Sequence, residues 1–584
     1  MIFCPCRVSI FLYAQACSKF TPWAKAKCRK DECMKRVFPV ILVCVLCVLP
    51  LSAAASPLQQ YITRDCAVFV HVDKFNDILT EAEGYAIKFG VPIGKGQLGA
   101  LLSMQLTGKV GFPGLDLTRP IGLFLLKNGN TQDTVFMLPV SDQNTFQKLM
   151  DERPTFVGSS VRYRNRYAII ADNARVQDAF ERGAKKTVSA LPDAQILLYA
   201  DTALLKGEMQ DVITEMSGNA NKETRQLADA LTKMYTDVIG EMKAVTYGLS
   251  FNARGMEIVS GMEASPQGAF ASLVKSLPAG EPALIAKMPA DSYLAVGSKI
   301  NLASLQPMAG VCSDVFDAFF PGLGSISADL IKDAGEIYGD DAAFAMAPGA
   351  KGGFTALGAG RLLADKDSRA LMQKFTERFN ALPAVRNENT APGKLTLVYT
   401  PNAGRVGADA YDRMRLDYVP GSAKAQDNPE MKAAAALLRD FCTLYIAKKD
   451  GVEYWAMGGD AERRLADLLN GTRPGFTTTA AWRSITGSYG QFARNGVGYM
   501  STSGLVQEIV RVLPLFGLGE GDMKTMLESL KKIPAGGGIY GIMQTANETI
   551  TGRGTISKDE IDVFYSLVMS VSKAMNTGKS RPKR

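Results

Sequence analysis

The segment Ile196–Thr202, ILLYADT, has a counterpart in the segment Gly496–Thr502, GVGYMST. Downstream of the first stretch lies FASLVKSL at Phe270–Leu277, and downstream of the second lies FYSLVMSV at Phe564–Val571. Similar anchors that recur in the same order are not expected by chance. The sequence therefore predicts that the chain is internally duplicated.

Each half also contains two copies of a smaller unit. Four apolar runs of strand type end in Asp or Ser, at Val68–Asp73, Ile196–Asp201, Tyr293–Ser298 and Gly496–Ser501. Apolar residues at helical spacing follow each run, and a hairpin pattern and another helical pattern come next. The predicted fold class is α+β, with four strand-helix-helix-hairpin-helix units forming curved antiparallel sheets with helices mainly on one face. An extra hairpin and helix are predicted at about Val157–Gly183 and Cys442–Gly471.

The predicted halves span residues 56–283 and 284–571, with a boundary rich in Pro, Gly and Ala near Pro278–Pro289. An insertion at about 382–431 occurs only in the second half and is rich in Asn, Pro, Gly and charge. Such a segment is expected to carry specificity, and a tolerated surface insertion is the alternative.

A secretory signal is predicted at residues 34–55. Met34–Arg36 is a short basic start, Val37–Leu51 is apolar, and Ser52–Ala55 offers a cleavage site of small residues. Residues 1–33 are then a misassigned N-terminal extension. The apolar run is shorter than the roughly 20 residues of a spanning helix, which favours a periplasmic or secreted protein over an uncleaved membrane anchor.

Removal of the predicted signal changes the charge balance. The chain has 66 Lys/Arg and 58 Asp/Glu, a formal net charge of +8. Beyond residue 55 the counts are 58 and 56, a net charge of +2, and five of these basic residues lie in the tail, residues 572–584. The body therefore lacks a nucleic-acid footprint. The basic tail is expected to be a solvated end, and weak contact with an anionic surface is the alternative.

Cysteine is scarce beyond the signal. Seven of the ten cysteines stand before residue 48, which leaves Cys66, Cys312 and Cys442. These three allow one disulfide at most, and the sequence does not identify its partners.

The single histidine, His71, is interpreted as a packing residue. It lies in a strand-like run at the place that Tyr199, Val296 and Tyr499 take in the other units. Without a second histidine or a cysteine cluster, His-based zinc sites and Ser-His-Asp triads are excluded.

Two short motifs suggest chemistry that their context argues against. Gly94–Gly99 fits the dinucleotide pattern G-x-G-x-x-G, but a helical segment rather than a strand precedes it, so a turn between helices is predicted. Ser272–Lys275 fits S-x-x-K, but the matching positions are Ser566 and Met569, so an ordinary helix position is predicted rather than a nucleophile.

Acidic residues are predicted mainly at helix starts and turns. The expected N-caps are Asp142, Asp172, Asp367 and Asp460. The neighbouring pairs Asp340–Asp341 and Asp559–Glu560 point apart on a helix or strand and suit caps or turns. The sequence therefore predicts no catalytic, cofactor-binding or metal-binding residues.

Methionines line the predicted helices of both halves: Met209, Met216, Met234, Met242, Met523 and Met526. Filling of an irregular core is the favoured explanation, and an adaptable apolar groove for lipid or peptide is the alternative.

The runs Ala67–Asp73 and Met288–Val296, together with Asp116–Gly122 before a hairpin, resemble large exported bacterial proteins of unknown function. The resemblance covers most of residues 60–571 and implies repeated α+β modules. It carries no known catalytic residue, so no site or cofactor transfers with it.

Together these patterns predict a non-enzymatic exported envelope protein that acts as a binding or interaction scaffold, with an envelope protein, lipid or polymer as partner. One alternative is a periplasmic carrier whose Met- and Leu-rich helices cover an apolar cavity for lipid. Another is a hydrolase, which requires a cleft where two carboxylates converge.

Overall fold

The computed structural model describes residues 58–577, with gaps at 130, 153–158, 189–190, 219–224, 320–321, 350–352, 383–392, 421–431, 433–434, 437–438, 491–493 and 513–526. The predicted signal segment lies outside the described residues, as does the basic tail from residue 578 onward. Among the described residues, no helix combines the length and apolar character needed to cross a membrane.

Within the described residues, eighteen strands form one antiparallel sheet. They are β1 Cys66–Val72, β2 Ile121–Asn128, β3 Thr131–Pro139, β4 Ser160–Arg164, β5 Tyr167–Ala171, β6 Ile196–Asp201, β7 Met242–Asn252, β8 Gly255–Ala264, β9 Leu294–Lys299, β10 Tyr338–Pro348, β11 Phe354–Leu362, β12 Gly393–Val406, β13 Asp409–Pro420, β14 Leu444–Lys449, β15 Val452–Gly458, β16 Gly496–Met500, β17 Ile539–Ala546 and β18 Thr549–Ser557.

The α-helices occupy the connections between these strands. They are α1 Phe75–Lys88, α2 Gln97–Thr107, α3 Gln143–Asp151, α4 Ala174–Arg182, α5 Thr202–Gly218, α6 Arg225–Gly240, α7 Ala269–Ser276, α8 Gln306–Phe319, α9 Leu323–Gly335, α10 Arg369–Ala381, α11 Ala461–Asn470, α12 Ala480–Tyr489, α13 Thr502–Val512 and α14 Lys558–Thr577. The fold class is therefore α+β with a large antiparallel sheet, as predicted.

Strands β8 and β18 pair at the centre of the sheet, and corresponding strands of the two halves follow in the same order on either side of this pair. Through the first half it is β8-β7-β6-β1-β2-β3-β5-β4. Through the second half it is β18-β17-β16-β9-β10-β11-β15-β14, and β13 and β12 follow at the end. Among the described residues of the first half, no hairpin occupies the place of β12–β13.

Successive side chains of a strand point to opposite faces of the sheet. On the first face, Phe69 and Phe124 pack under Phe180 of α4, and Ala456 packs under Leu465 of α11. Helix α12 covers the same face nearer the centre. We call this the α4/α11 face.

The opposite face, which we call the α3/α10 face, carries more helices. Phe146 of α3 packs on Ile170, and Phe375 of α10 packs on Ile446. Helices α7, α9 and α13 pack on this face as well. Helices thus cover both faces in unequal numbers, and the predicted one-sided arrangement is correct only in part. The reason is that each extra hairpin is followed by a helix, α4 or α11, that returns over the other face.

The turn between α1 and α2 is held by a side chain of α1. The carboxylate of Glu83 accepts hydrogen bonds from the backbone N–H groups of Gly96, at 2.6 Å, and Leu98, at 3.0 Å. The turn between α8 and α9 has the same construction, because Asp317 accepts a hydrogen bond from Gly324 at 2.6 Å. Each helix start therefore receives an acidic side chain where its N–H groups lack partners.

Strand pairing corrects one predicted equivalence. Tyr199 pairs with Phe69 on β1, whereas Tyr499 pairs with Ala295 on β9. Position 69 therefore corresponds to 295, and His71 corresponds to position 297 rather than to Val296. A shift of one residue moves a side chain to the other face of a sheet. His71 is accordingly buried, whereas Val296 is 39% exposed on the α3/α10 face.

Candidate functional site

The hairpin β12–β13 is the described part of the predicted insertion. Its strands pair from Gly393–Pro420 to Val406–Asp409, but β13 pairs with β14 only over residues 411–414. The end formed by residues 393–398 and 415–420 therefore reaches beyond the neighbouring strand. The described part of the insertion is a two-stranded ribbon that extends past the neighbouring strand.

One face of the projecting end is anchored. Leu397 packs in the cluster under α10. The side-chain amide of Asn380 on α10 donates to the Leu397 carbonyl and accepts from the Leu397 N–H, both at 2.8 Å. Because Asn380 thereby satisfies both backbone groups of Leu397, it fixes the ribbon on the α3/α10 face.

The other face of the projecting end carries alternate side chains of the two strands. We call this set the hairpin platform: Lys394, Thr396, Val398, Arg415, Asp417 and Val419. Val419 is 49% exposed, and Arg415 pairs with Asp417 at 2.8 Å. The Arg415 Nε atom is buried and has no hydrogen-bond partner among the described residues. The platform therefore combines apolar area, both signs of charge and an unused donor.

A polar cluster joins the middle of this hairpin, at the register shift between Thr400 and Gly404, to the start of α10. Asp412 on β13 accepts hydrogen bonds from the Tyr399 hydroxyl at 2.6 Å, Arg369 Nε at 3.0 Å and the Asn402 N–H at 2.8 Å. Asp412 is almost completely buried. A buried carboxylate requires such partners, so this cluster fixes the hairpin against α10.

A second buried carboxylate, Glu453 on β15, lies in the same cluster. The Tyr338 hydroxyl and the Ser368 hydroxyl each donate to one of its oxygens. Burial raises the pKa of Glu453, and the nearby Asp412 charge raises it further. The structure thus brings together two acidic side chains that the sequence does not pair.

The chemistry open to this carboxylate pair is limited. A general acid or base must come within hydrogen-bond reach of the group that it serves. Both oxygens of Glu453 are engaged, and Glu453 and Ser368 are 4% and 3% exposed. Asp412 is held by an arginine, a tyrosine and a backbone N–H. This arrangement suits a structural clamp better than a catalytic pair.

The motif Gly94–Gly99 lies between α1 and α2, as the sequence predicts. Gly96, with φ 82°, is the N-cap of α2, and Glu83 occupies the start of that helix. A dinucleotide pyrophosphate would need this position. The motif is a helix–helix turn whose anion site is filled by the chain itself.

The S-x-x-K residues lie on α7 without contacting each other. The Ser272 hydroxyl donates to the carbonyl of Gly268 at 3.3 Å, and Lys275 pairs with Glu548 at 2.8 Å. Neither contact activates the serine, because activation requires a base within hydrogen-bond reach of the hydroxyl.

The adjacent carboxylates have separate roles. Asp341 is buried and accepts hydrogen bonds from the N–H groups of Ala283, at 3.0 Å, and Leu284, at 3.3 Å. Glu560 is fully buried, whereas Asp559 is exposed. Capping of a turn is therefore confirmed for Asp341.

The predicted N-caps differ in outcome. Asp142 accepts from two N–H groups of the first turn of α3, so that prediction is confirmed. The prediction that Asp172 is an N-cap is wrong, because Asn173 caps α4. Asp367 lies one residue before the N-cap of α10. Asp460 is the N-cap residue of α11, as predicted, but its carboxylate pairs with Arg463 rather than with an N–H group of the helix. Short polar residues are exchangeable at such junctions, so the sequence locates a helix start only to within a residue.

His71 and Cys66 are both buried on β1. Burial lowers the pKa of His71, whose ring lies 6.3 Å from the Phe69 ring between centroids. Burial raises the pKa of the Cys66 thiol to about 12, and Cys66 is not in a disulfide. The Cys312 side chain lies outside the described residues.

The methionines predicted to line helices do not all lie on helices. Met242 is the first residue of β7, because α6 ends at Gly240, so its assignment to a helix is wrong. Met209 lies on α5, and Met523 and Met526 lie outside the described residues, as do the side chains of Met216 and Met234. Within the described part of the chain, no group of three or more metal-ligating side chains is present.

Comparison with known proteins gives no match: no family model, no curated protein and no solved structure matches this chain.

Proposed function

We propose that this protein is an exported, non-enzymatic binding scaffold, and that the hairpin platform is its recognition surface. The observation that carries this proposal is the projecting end of β12–β13, which is anchored on one face by Asn380 and carries the exposed side chains of Lys394 and Val419 on the other. A rigid ribbon with mixed polar and apolar side chains suits protein recognition, because little ordering cost opposes binding. The partner is an envelope protein or polymer.

The proposal includes an origin of the scaffold by duplication, first of one unit and then of the half. The matching strand orders on either side of β8–β18 support the duplication of the half. The same acid-capped glycine turn at Gly96 and Gly322, with φ 82° and 90°, supports it as well. The repeated succession of strand, helices, hairpin and helix supports the smaller unit. A hairpin added to one half alone is then a specialised part of the scaffold.

Cross-linking from the platform tests the recognition surface. A photoreactive residue replaces Thr396 on the platform, and a matched one replaces the exposed Ser272 on α7. We expect a discrete adduct in the envelope from position 396 only, which disappears when Val419→Asp is added. Equal adducts from both positions, or an adduct that survives Val419→Asp, would contradict the proposal.

Export forms a separate part of the proposal. The basic start at Met34, the apolar run and the small residues before Ser56 support a cleaved signal. Intact-mass analysis of the purified protein should give a chain that begins at Ser56. A chain that keeps residues 34–55 in the membrane fraction would support the anchor instead.

Two apolar side chains favour a second candidate, a carrier of a hydrophobic ligand. Phe136 and Val296 lie on the helix-rich α3/α10 face, yet they are 38% and 39% exposed. Incomplete cover of a sheet face by helices leaves apolar surface that lipid can occupy. Native mass spectrometry should then detect bound lipid that is lost on Val296→Asp, and an unliganded mass would oppose this candidate.

A further inference from the structure

Exposed apolar side chains concentrate on α14 and on the α1–α2 segment. Among the described residues, seven of the thirteen exposed large apolar side chains belong to these segments: Ile87, Val91, Leu101, Met104, Phe564, Val568 and Met569. An eighth, Val110, follows α2 three residues after its end. Single exposed apolar residues are ordinary, whereas a concentration of them marks an interaction surface.

The end of α1 lies along α14. The ring of Phe89 stacks on the ring of Tyr565 with centroids 4.7 Å apart, and Lys88 pairs with Asp562. Ile87 and Val91 flank Phe89 in the sequence. The exposed apolar side chains at the end of α1 and those of α14 therefore belong to one region of the surface.

Helix α14 is apolar on two sides. Val563 and Leu567 pack in the cluster formed with α13. Phe564 and Val568, one turn apart, lie on the outer side and are 37% and 62% exposed. We call this pair the outer row. Packing against the protein explains the first side of the helix but leaves the outer row without a role.

The charge of the following sequence identifies an occupant for this surface. From residue 563 to the end, the sequence has no Asp or Glu and five basic residues: Lys573, Lys579, Arg581, Lys583 and Arg584. An apolar helix side combined with basic residues is the composition of helices that lie on anionic bilayers. A second copy of the chain would bring like charges together across a symmetric contact.

We propose that the outer row of α14 docks the protein on an anionic lipid surface, with Phe564 and Val568 entering the headgroup region. The hairpin platform lies at the end of the sheet, whereas α14 follows the central strand β18. The two surfaces are therefore separate, and failure of one proposal leaves the other standing.

Vesicle flotation tests this docking surface. The chain from residue 56 to 584 is mixed with phosphatidylcholine vesicles, with or without a quarter of phosphatidylglycerol. We expect binding to the anionic vesicles that is at least about tenfold stronger than to the neutral ones and that weakens with salt. Val568→Asp and removal of residues 578–584 should each weaken it at least about tenfold.

Leu363→Asp is the matched control, because Leu363 is 43% exposed after β11 and distant in sequence from α14. It should bind as the unchanged protein does, and circular dichroism should show all variants folded. Equal binding to both kinds of vesicle, or full binding by folded Val568→Asp, would overturn the proposal. Dimerisation in solution that Val568→Asp abolishes, without vesicle binding, would overturn it in favour of a second copy.

Discussion

Arg464 of α11 holds Asp291 through two parallel hydrogen bonds, Nη1 to Oδ1 at 3.1 Å and Nη2 to Oδ2 at 2.8 Å. The same guanidinium donates to the carbonyl of Pro348 at the end of β10. Arg464 is 3% exposed, so its charge is buried among these partners. One side chain thus ties together the segment before β9, the end of β10 and the helix on the α4/α11 face.

Replacement of Arg464 should be costly. We expect Arg464→Ala to lower the free energy of unfolding by about 1–3 kcal/mol, because it removes the hydrogen bonds of a buried guanidinium to Asp291 and Pro348. The Asp291 carboxylate that remains is 41% exposed and keeps its pair with Arg473, so no buried charge is left without a partner. Chemical denaturation measures this change. Arg463→Ala is the control, since Arg463 is half exposed and pairs locally with Asp460; its cost should stay below about 1 kcal/mol. Equal costs for the two variants would refute the role given to Arg464.

Glu560 should be required for stability, unlike its neighbour Asp559. The Glu560 carboxylate accepts the N–H of Thr502 at 2.7 Å and the N–H of Gly538 at 3.0 Å. Glu560→Ala leaves both N–H groups buried and unsatisfied, so we expect a loss of about 2–4 kcal/mol. Asp559→Ala, on the exposed side of the same turn, should change the free energy of unfolding by less than about 0.5 kcal/mol. A mild Glu560→Ala phenotype in denaturation would contradict this reading.

The raised pKa of Glu453 predicts a pH dependence. The unfolded chain loses the Glu453 proton at a lower pH than the folded chain. Between the two pKa values, rising pH therefore lowers the free energy of unfolding, by at most about 1.4 kcal/mol per pH unit. Glu453→Gln removes this ionisation. Denaturation from pH 5 to pH 8 should show that the wild type loses stability relative to Glu453→Gln, and parallel curves would exclude the effect.

Two strand glycines should respond to alanine with opposite signs. A Cβ on Gly358 would lie 2.2 Å from Cε2 of Trp455 on the neighbouring strand, so Gly358→Ala must displace a packed indole. We expect a loss of about 1–3 kcal/mol. A Cβ on Gly498 meets nothing within 4 Å, so Gly498→Ala should gain about 0.4–1 kcal/mol. The difference in melting temperature between the variants checks both signs.

Local patterns predict the elements well, because hairpins and helices are set by nearby residues. The extra hairpin-helix expected at 157–183 appears as β4, β5 and α4, and the one expected at 442–471 appears as β14, β15 and α11. The order of the strands in the sheet could not be predicted from the sequence. Whether β8 pairs with β18 depends on contacts between distant segments, for which no local pattern provides a signal.

Register and the polar cluster were harder to predict. The identity of a strand residue does not fix its face, so Val296 was matched to His71 one position out of register. Glu453 escapes notice because it stands beside Tyr454 and Trp455 in an ordinary strand pattern. A charged residue at an inward-facing position is the signal that could have identified it, but only after the register of β15 is known.

The pairing of β8 with β18 also has a consequence in time. Strand β8 is complete at residue 264, whereas its partner begins only at residue 549. During synthesis, β8 remains an unpaired edge strand of the first half until almost all of the remaining chain has been made. An unpaired edge strand can pair with other strands, so the first half is open to mispairing and aggregation during this interval.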